Sequence, residues 1–321
     1  MNSEKRGKPV AYGLRSKILI SLGLAFAAVI VATELVTVYG VPHTSLHGAL
    51  KRERSEAIKS LATFADLKKN ILHQWLDDRR GDARAFAESD IFRERVSELS
   101  DRFRRMIAEG ATDGGLKIQV RSDKSFDAFS RQLDLLKESY GLYDKIQIAD
   151  AATGRILVSS EPDEMGSDIS RDPQYLKVLK PGSDEFIDMW VEPASDKLFY
   201  YISRAIYRSP AGKGMETFAV LIMYCRADSI ILPMLQTGAG LGKTGEVVLV
   251  DQDARILTEL KYPLPDGNQA KVLEYGNTGK PARLAAQGIE GVVEAEDYRG
   301  VPVLAATRHM RITSDIGWGM V

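Results

Sequence analysis

IQIADAATGRILVSS, residues 146–160, decides the fold. Ile146 and Ile148 fall on one side of an extended chain. The stretch from Ala149 to Gly154 has turn character, and aliphatic residues resume after Gly154, so the segment reads as two short strands about a turn. About a hundred residues on, residues 247–260 read VVLVDQDARILTEL and repeat the arrangement. Asp251 answers to Asp150, and Arg255-Ile256-Leu257 to Arg155-Ile156-Leu157. The match continues from FYYISRAIY (199–207) to VLAATRHMRI (303–312). Two copies of one unit are the economical account.

Each copy supplies strand, turn, strand, a helical or irregular middle, and then further strands. In the first copy the later strands are EFIDMWVEPAS, KLFYYISRAIY and TFAVLIMYCR; in the second, GVVEAEDYRG, VPVLAATRHMRI and IGWGMV. That order describes an antiparallel sheet with helices between its second and third strands, an α+β layer. The expected modules are residues 141–228 and 229–321, the second closing on an incomplete last strand.

Upstream the pattern is helical. Ile18 to Ala32 carries no charge and the apolar character persists to Val38, close to the roughly 20 residues that cross a hydrocarbon core. Lys5, Arg6, Lys8, Arg15 and Lys17 precede it, opposed only by Glu4, which places residues 1–17 in the cytoplasm and the bulk of the chain outside. A transmembrane helix over 18–40 is expected. A signal peptide cut at the small residues AFAA is the competitor, and the apolar run continues well past them. From 41 to 140 the chain reads as a helical stalk. Leu50, Ala57, Phe64 and Ile71 recur every seven residues, with Leu61 and Trp75 beside them, a narrow stripe that needs a partner. The partner is either the same helix of a second subunit or the chain's own sheets. Further helices are expected over 83–108 and 122–140, with ATDGG as a loop between them and Gly141 as a stop.

The 321 residues are 44% hydrophobic and 27% charged, so they can build real cores. With 43 basic against 44 acidic residues there is no broad positive field for nucleic acid. A single cysteine, Cys225, excludes an intrachain disulfide; it reads as a small apolar strand residue.

Several apparent catalytic signals fail on inspection. GAGLGKTGE, residues 238–246, has Thr237 where a phosphate loop needs its first glycine, and it opens a strand rather than a helix. It reads as a linker. His43 and His47 have i, i+4 spacing but no third ligand, and His73 and His309 stand alone, so no metal is expected. No carboxylate pair stands beside a nucleophile or base. No catalytic residue and no cofactor are assigned.

A long helix emerging from a membrane and followed by two such sheets resembles the double Cache sensor family of bacterial signalling proteins. The resemblance runs from about Leu46 to Val321 and includes the helical WLDDRRGDARAFA. It implies two tandem PAS-like sheets outside the bacterial inner (plasma) membrane, in the periplasm or extracellular space. The membrane-distal sheet would hold a small-molecule ligand and the proximal one would lead to a second membrane helix. The implied role is the sensor region of a receptor, a histidine kinase of a two-component system before a chemoreceptor or diguanylate cyclase, with a homodimer through the long helix. A secreted binding protein is the alternative of another class and would require cleavage near Ala32.

The family's amino-acid-binding pattern can be followed residue by residue. Tyr175 matches its tyrosine, Trp190 its strand aromatic and Glu192 its strand acid. Asp172 stands where an arginine would pair with a carboxylate, Gln174 where a tryptophan would stand, and Tyr224 where an aspartate would receive an ammonium. Arg171 is one position off. These departures imply a ligand other than an α-amino acid. Tyr200, Tyr201 and Ser203 are further candidates for pocket walls. Strand alternation favours the Tyr201 and Ser203 face, because the opposite face carries Arg204, which is costly to bury unless paired. The expected ligand set is Arg171, Asp172, Gln174, Tyr175, Trp190, Glu192, Tyr201, Ser203 and Tyr224.

Overall fold

The computed structural model describes residues 14–41, 48–192, 197–209, 215–237 and 241–321. The chain divides into two compact units, Met1–Ser60 and Leu61–Val321. In the first, α1 (Leu14–Tyr39) contains Lys17–Tyr39, the one helix among the described residues long and apolar enough to cross a membrane. At about 1.5 Å per residue this stretch reaches ~34 Å, against a hydrocarbon core of ~30 Å. Its hydroxyls at Thr33 and Thr37 are satisfied within the helix, donating to the carbonyls of Val29 and Thr33 at 2.8 Å. His43 and His47 lie outside the described residues.

The helix α2 (Ala49–Glu88) begins in the first unit and supplies its length from Leu61 to the second. Its buried positions, Ala65, Lys68, Leu72, Leu76, Arg79, Ala83 and Ala87, step by three and four. The seven-residue stripe is therefore not the packing face. Phe64 is buried, but Leu50 and Ile71 are 51% and 38% exposed. A straight helix of 3.6 residues per turn carries a strict heptad stripe around its axis, and the sheets follow the helix rather than the heptad.

The helix expected over 83–108 is two. Ser89 breaks the chain, its hydroxyl accepting from the Phe92 amide, and α3 (Asp90–Ala108) follows. The expected ATDGG loop is partly helical, because the Thr112 hydroxyl caps α4 (Asp113–Ser122) at Gly115. Asp123 then caps α5 (Lys124–Tyr140), which stops at Gly141 in the left-handed conformation, φ +62°.

The first sheet has β1 (Lys145–Asp150), β2 (Ile156–Ser159), β3 (Glu185–Glu192), β4 (Lys197–Arg208) and β5 (Glu216–Arg226) in the order β2-β1-β5-β4-β3, all antiparallel. Between β2 and β3 stand a 3-10 turn, Pro162–Glu164, and the short α6 (Pro173–Leu176). The helix α7 (Ala227–Gln236) leads to the second sheet, β6 (Leu249–Val250), β7 (Gly291–Glu296), β8 (Pro302–Arg311) and β9 (Gly317–Met320), ordered β6-β9-β8-β7, with α8 (Lys280–Ala286) before β7. The counterpart of β2 survives as one bridge, Val250 to Ile256. With that bridge the two orders coincide, as the repeat requires.

The duplicated turns use the same chemistry. Asp150 and Asp251 each donate a backbone N–H to the carbonyl of the matching arginine, Arg155 or Arg255, at 2.9 Å. Asp150 is fully buried; its carboxylate accepts from Ser100, Arg104 and Thr153 side chains and from the amides of Ala152 and Thr153. Asp251 accepts from the Asp253 and Arg255 amides and the Arg255 guanidinium.

A second repeated feature ties both sheets to α2. Arg204 on β4 is buried and pairs with Glu185 at 3.1 Å and Glu88 at 3.0 Å. Arg308, its equivalent on β8, is buried and pairs with Asp66 at 2.5 Å while donating to the Ala62 carbonyl at 3.0 Å. Between them Arg80 donates to Glu185 of β3 at 3.0 Å and to the Ile312 carbonyl, one residue past β8. Lys68 donates to the last carbonyls of α7, at Met234 (2.7 Å) and Thr237.

Asp150→Ala is expected to lower unfolding stability by about 3 kcal/mol, since it strips a buried carboxylate from its donors and from Arg104. Asp251→Ala, at the more open turn, should cost about 1 kcal/mol. Urea titration of the two variants checks the difference; equal losses would contradict it.

Candidate ligand-binding face

Both faces of the first sheet are covered, and strand pleating sorts the side chains between them. Toward the helices point Ile146, Ile148, Ile187, Met189, Tyr200, Ile202, Met223 and Cys225. Tyr200 lies edge-on to Trp75 of α2 at 5.0 Å between ring centroids and to Trp318 of β9 at 6.2 Å. Cys225 is buried there, and burial pushes its thiol up, out of the reactive range.

The opposite face collects Phe186, Trp190, Phe199, Tyr201, Ile222 and Tyr224 beneath α6 and the segment around it. The register is continuous across four strands: Trp190 sits opposite Phe199, Asp188 opposite Tyr201, Tyr201 opposite Tyr224, and Tyr224 opposite Lys145. Trp190, Phe199 and Tyr224 form a triangle with centroids 5.9–6.2 Å apart, and Tyr201 lies 6.3 Å from Tyr224. Burial raises the Tyr201 and Tyr224 phenols, so both stay neutral hydroxyls at physiological pH.

The expected residues separate clearly. Asp172, Gln174, Trp190, Glu192, Tyr201, Ser203 and Tyr224 come together on or above this face. Tyr175 is there too, but its hydroxyl is committed, donating to the Ala151 carbonyl at 2.8 Å and pinning α6 to the β1–β2 turn. Tyr200 faces the helices. Arg171 is exposed and its charge acts on Asp168, so it brings no cation to the face. Tyr201 and Ser203 share this face, and Arg204 on the other side is buried after all, because three carboxylates, Glu185, Glu88 and Asp184, surround it.

Three residues of the face escaped the sequence reading. Lys145 is 7% exposed and lies under Tyr224, its ammonium 4.8 Å from the ring centroid, 2.8 Å from Glu164 and 3.5 Å from Glu192. Gln147, two residues on, donates to the other oxygen of Glu164, which also accepts from Ser159. The alternation of Lys145 and Gln147 with Ile146 and Ile148 was a usable signal for the first two. Glu164 comes from a turn, where no periodicity marks it.

Two buried polar atoms on this side have no partner, the Gln174 side-chain carbonyl and the Ser203 hydroxyl. The Gln174 amide is oriented by Asp172, to which its N–H donates at 3.4 Å. Burial raises the Asp172 carboxyl, and the charge of Asp168 adds to that while Lys145 opposes it. Among the described residues, no group of three or more His, Cys, Asp or Glu is arranged to hold a metal ion.

No family model matches the sequence and no curated protein matches it. Solved structures similar to the chain include the ligand-binding domain of the Pseudomonas aeruginosa amino-acid chemoreceptor PctC in complex with GABA. It is 16% identical, the match covers 82% of this chain and 97% of that one, and the TM-score is 0.46. A domain of a Vibrio parahaemolyticus sensory box/GGDEF family protein is 12% identical over 83% and 93%, TM-score 0.48. The extracellular domain of the histidine kinase vpHK1S-Z8 is 10% identical over 84% and 90%, TM-score 0.49. By their names these neighbours come from a chemoreceptor, a sensory box/GGDEF family protein and a histidine kinase.

The Asp188 carboxyl, opposite Tyr201, is raised above the ordinary carboxylate range by burial. The Met189 amide, Lys177 and Arg255 oppose that rise, and Asp251 adds to it. An acid raised in the fold contributes stability below the ordinary Asp value, about 3.9, and loses that contribution as pH climbs through the raised value. Asp188→Asn should therefore melt higher than the parent at pH 7, the gap closing as pH falls to about 4. Melting curves across that range check the trend; a gap independent of pH would contradict it.

Proposed function

We propose that this chain is the small-molecule sensor region of a membrane-bound bacterial receptor. The ligand is seated against the face that carries Asp172, Gln174, Trp190, Glu192, Tyr201, Ser203 and Tyr224, with Tyr175 holding α6 above it. The observation that carries the reading is the combination of aromatic walls with two buried polar atoms left without partners. A protein interior pairs most of its polar groups, and an unpartnered acceptor and hydroxyl beside aromatic walls suit the donors of a small guest. The apolar helix Lys17–Tyr39 serves as the anchor in the inner membrane, with the residues after about 40 in the periplasm or extracellular space.

The modules are assigned to residues 141–228 and 229–321, each one copy of the repeat. A histidine kinase is the favoured output, with chemoreceptor and diguanylate cyclase next, by analogy of architecture. A homodimer would use the exposed side of α2, where Leu67 and Ile71 are neighbours at i, i+4. Signalling requires two arrangements of the chain that the ligand binds unequally, since equal affinity shifts nothing.

A thermal-shift screen of the full chain in nanodiscs against carboxylates, amino acids, amines and purines should find a stabilising compound. For the best of them, Trp190→Ala should weaken binding about tenfold or more, as loss of a central aromatic anchor does. Unchanged affinity in that variant would sink the site assignment.

A further inference from the structure

We infer that the face around Lys145 takes a small organic amine without a carboxylate, whose N–H groups donate to the Gln174 carbonyl oxygen and to the surrounding carboxylates. This rests on the proposed sensor site and names the chemistry of its guest.

The charge arrangement is the first argument. Glu164 and Glu192 both contact the Lys145 ammonium, and Asp172 is close enough for that charge to act on it. Acids thus gather around the Lys145 ammonium; a second cation of the face, Lys177, lies over the Phe186 ring and acts on Asp188, while Arg171 faces solvent. A further carboxylate arriving with a ligand would add to this negative charge, whereas an ammonium would relieve it.

The orphan acceptor is the second and independent argument. Gln174 is 1% exposed; its side chain is engaged by Asp172 and by the Tyr224 phenol, and its carbonyl oxygen is the end left without a partner. A carbonyl oxygen asks for a donor, and Ser203, 0% exposed and also unpartnered, supplies either role. The protein's own ammonium is the third. Lys145 already rests over the Tyr224 ring between two carboxylates, so the face stabilises an alkylammonium by cation–π attraction and ion pairing together. Lys145 is then the internal competitor of the ligand, and removing its charge should strengthen binding.

The test uses full-length protein in nanodiscs and three four-carbon probes that differ only in their end groups: butylamine, butyrate and 4-aminobutyrate. Calorimetry should show butylamine binding about tenfold or more tighter than the other two. Glu192→Gln should weaken butylamine, and Lys145→Met should tighten it about threefold or more. That gain of affinity cannot come from a merely damaged fold. No binding of butylamine, or its loss in a Lys145→Met protein that still melts cooperatively, overturns the inference. Butyrate or 4-aminobutyrate binding at least as tightly, and losing that affinity in Trp190→Ala, overturns the amine class while leaving the sensor site standing. A probe whose binding ignores Trp190→Ala counts against the site itself.

Discussion

A buried arginine at the same position of each repeat fixes residues 61–321 around one helix. Arg204 and Arg308 are both 7% exposed, and each reaches an acid of α2, Glu88 or Asp66. A guanidinium at that depth is tolerated only while it is paired, so each sheet can present only one of its faces to α2. Side chains alternate with a period of two, and that choice fixes every other residue of the strand. With Arg204, Ile202 and Tyr200 turned to the helices, Ser203, Tyr201 and Phe199 turn the other way and become the candidate site.

The same strand therefore joins the candidate site to the rest of the unit. Tyr201 touches Tyr224 among the site aromatics, and its neighbour Tyr200 is packed between Trp75 of the long helix and Trp318 of the last strand. Arg80 adds a polar link by holding Glu185 of the first sheet and the Ile312 carbonyl, one residue past β8. A shift of β4 under a guest meets α2 and β9 directly, through rings rather than through a loop.

Much of the fold was legible because it is written in local periods. The first strand pair, the turn aspartates, the strands from Glu185 to Arg226 and the stop at Gly141 all follow from alternation and turn chemistry, whereas the second strand pair shrinks to one bridge. Failures came where tertiary context overrode a local rule. Gly114 and Gly115 are helical because Thr112 caps them, and the heptad from Leu50 to Ile71 gave way to the 3.6-residue face that the sheets need. Arg204 was correctly read as expensive to bury, and its partners at Glu88 and Glu185, far apart in sequence, were invisible. The aromatic half of the site was readable for the same reason as the strands. Its charged half was only partly so: Lys145 and Gln147 alternate with Ile146 and Ile148, while Glu164 acquires meaning only when a turn brings it over the sheet.

The most direct measurement is an experimental structure of the chain with a bound amine. The account requires the guest's nitrogen within hydrogen-bond reach of the Gln174 carbonyl, its carbons against Trp190 and Tyr224, and Arg204 still paired on α2. A guest on the helix side of the first sheet or in the second sheet, with Gln174 left unpartnered, would contradict it.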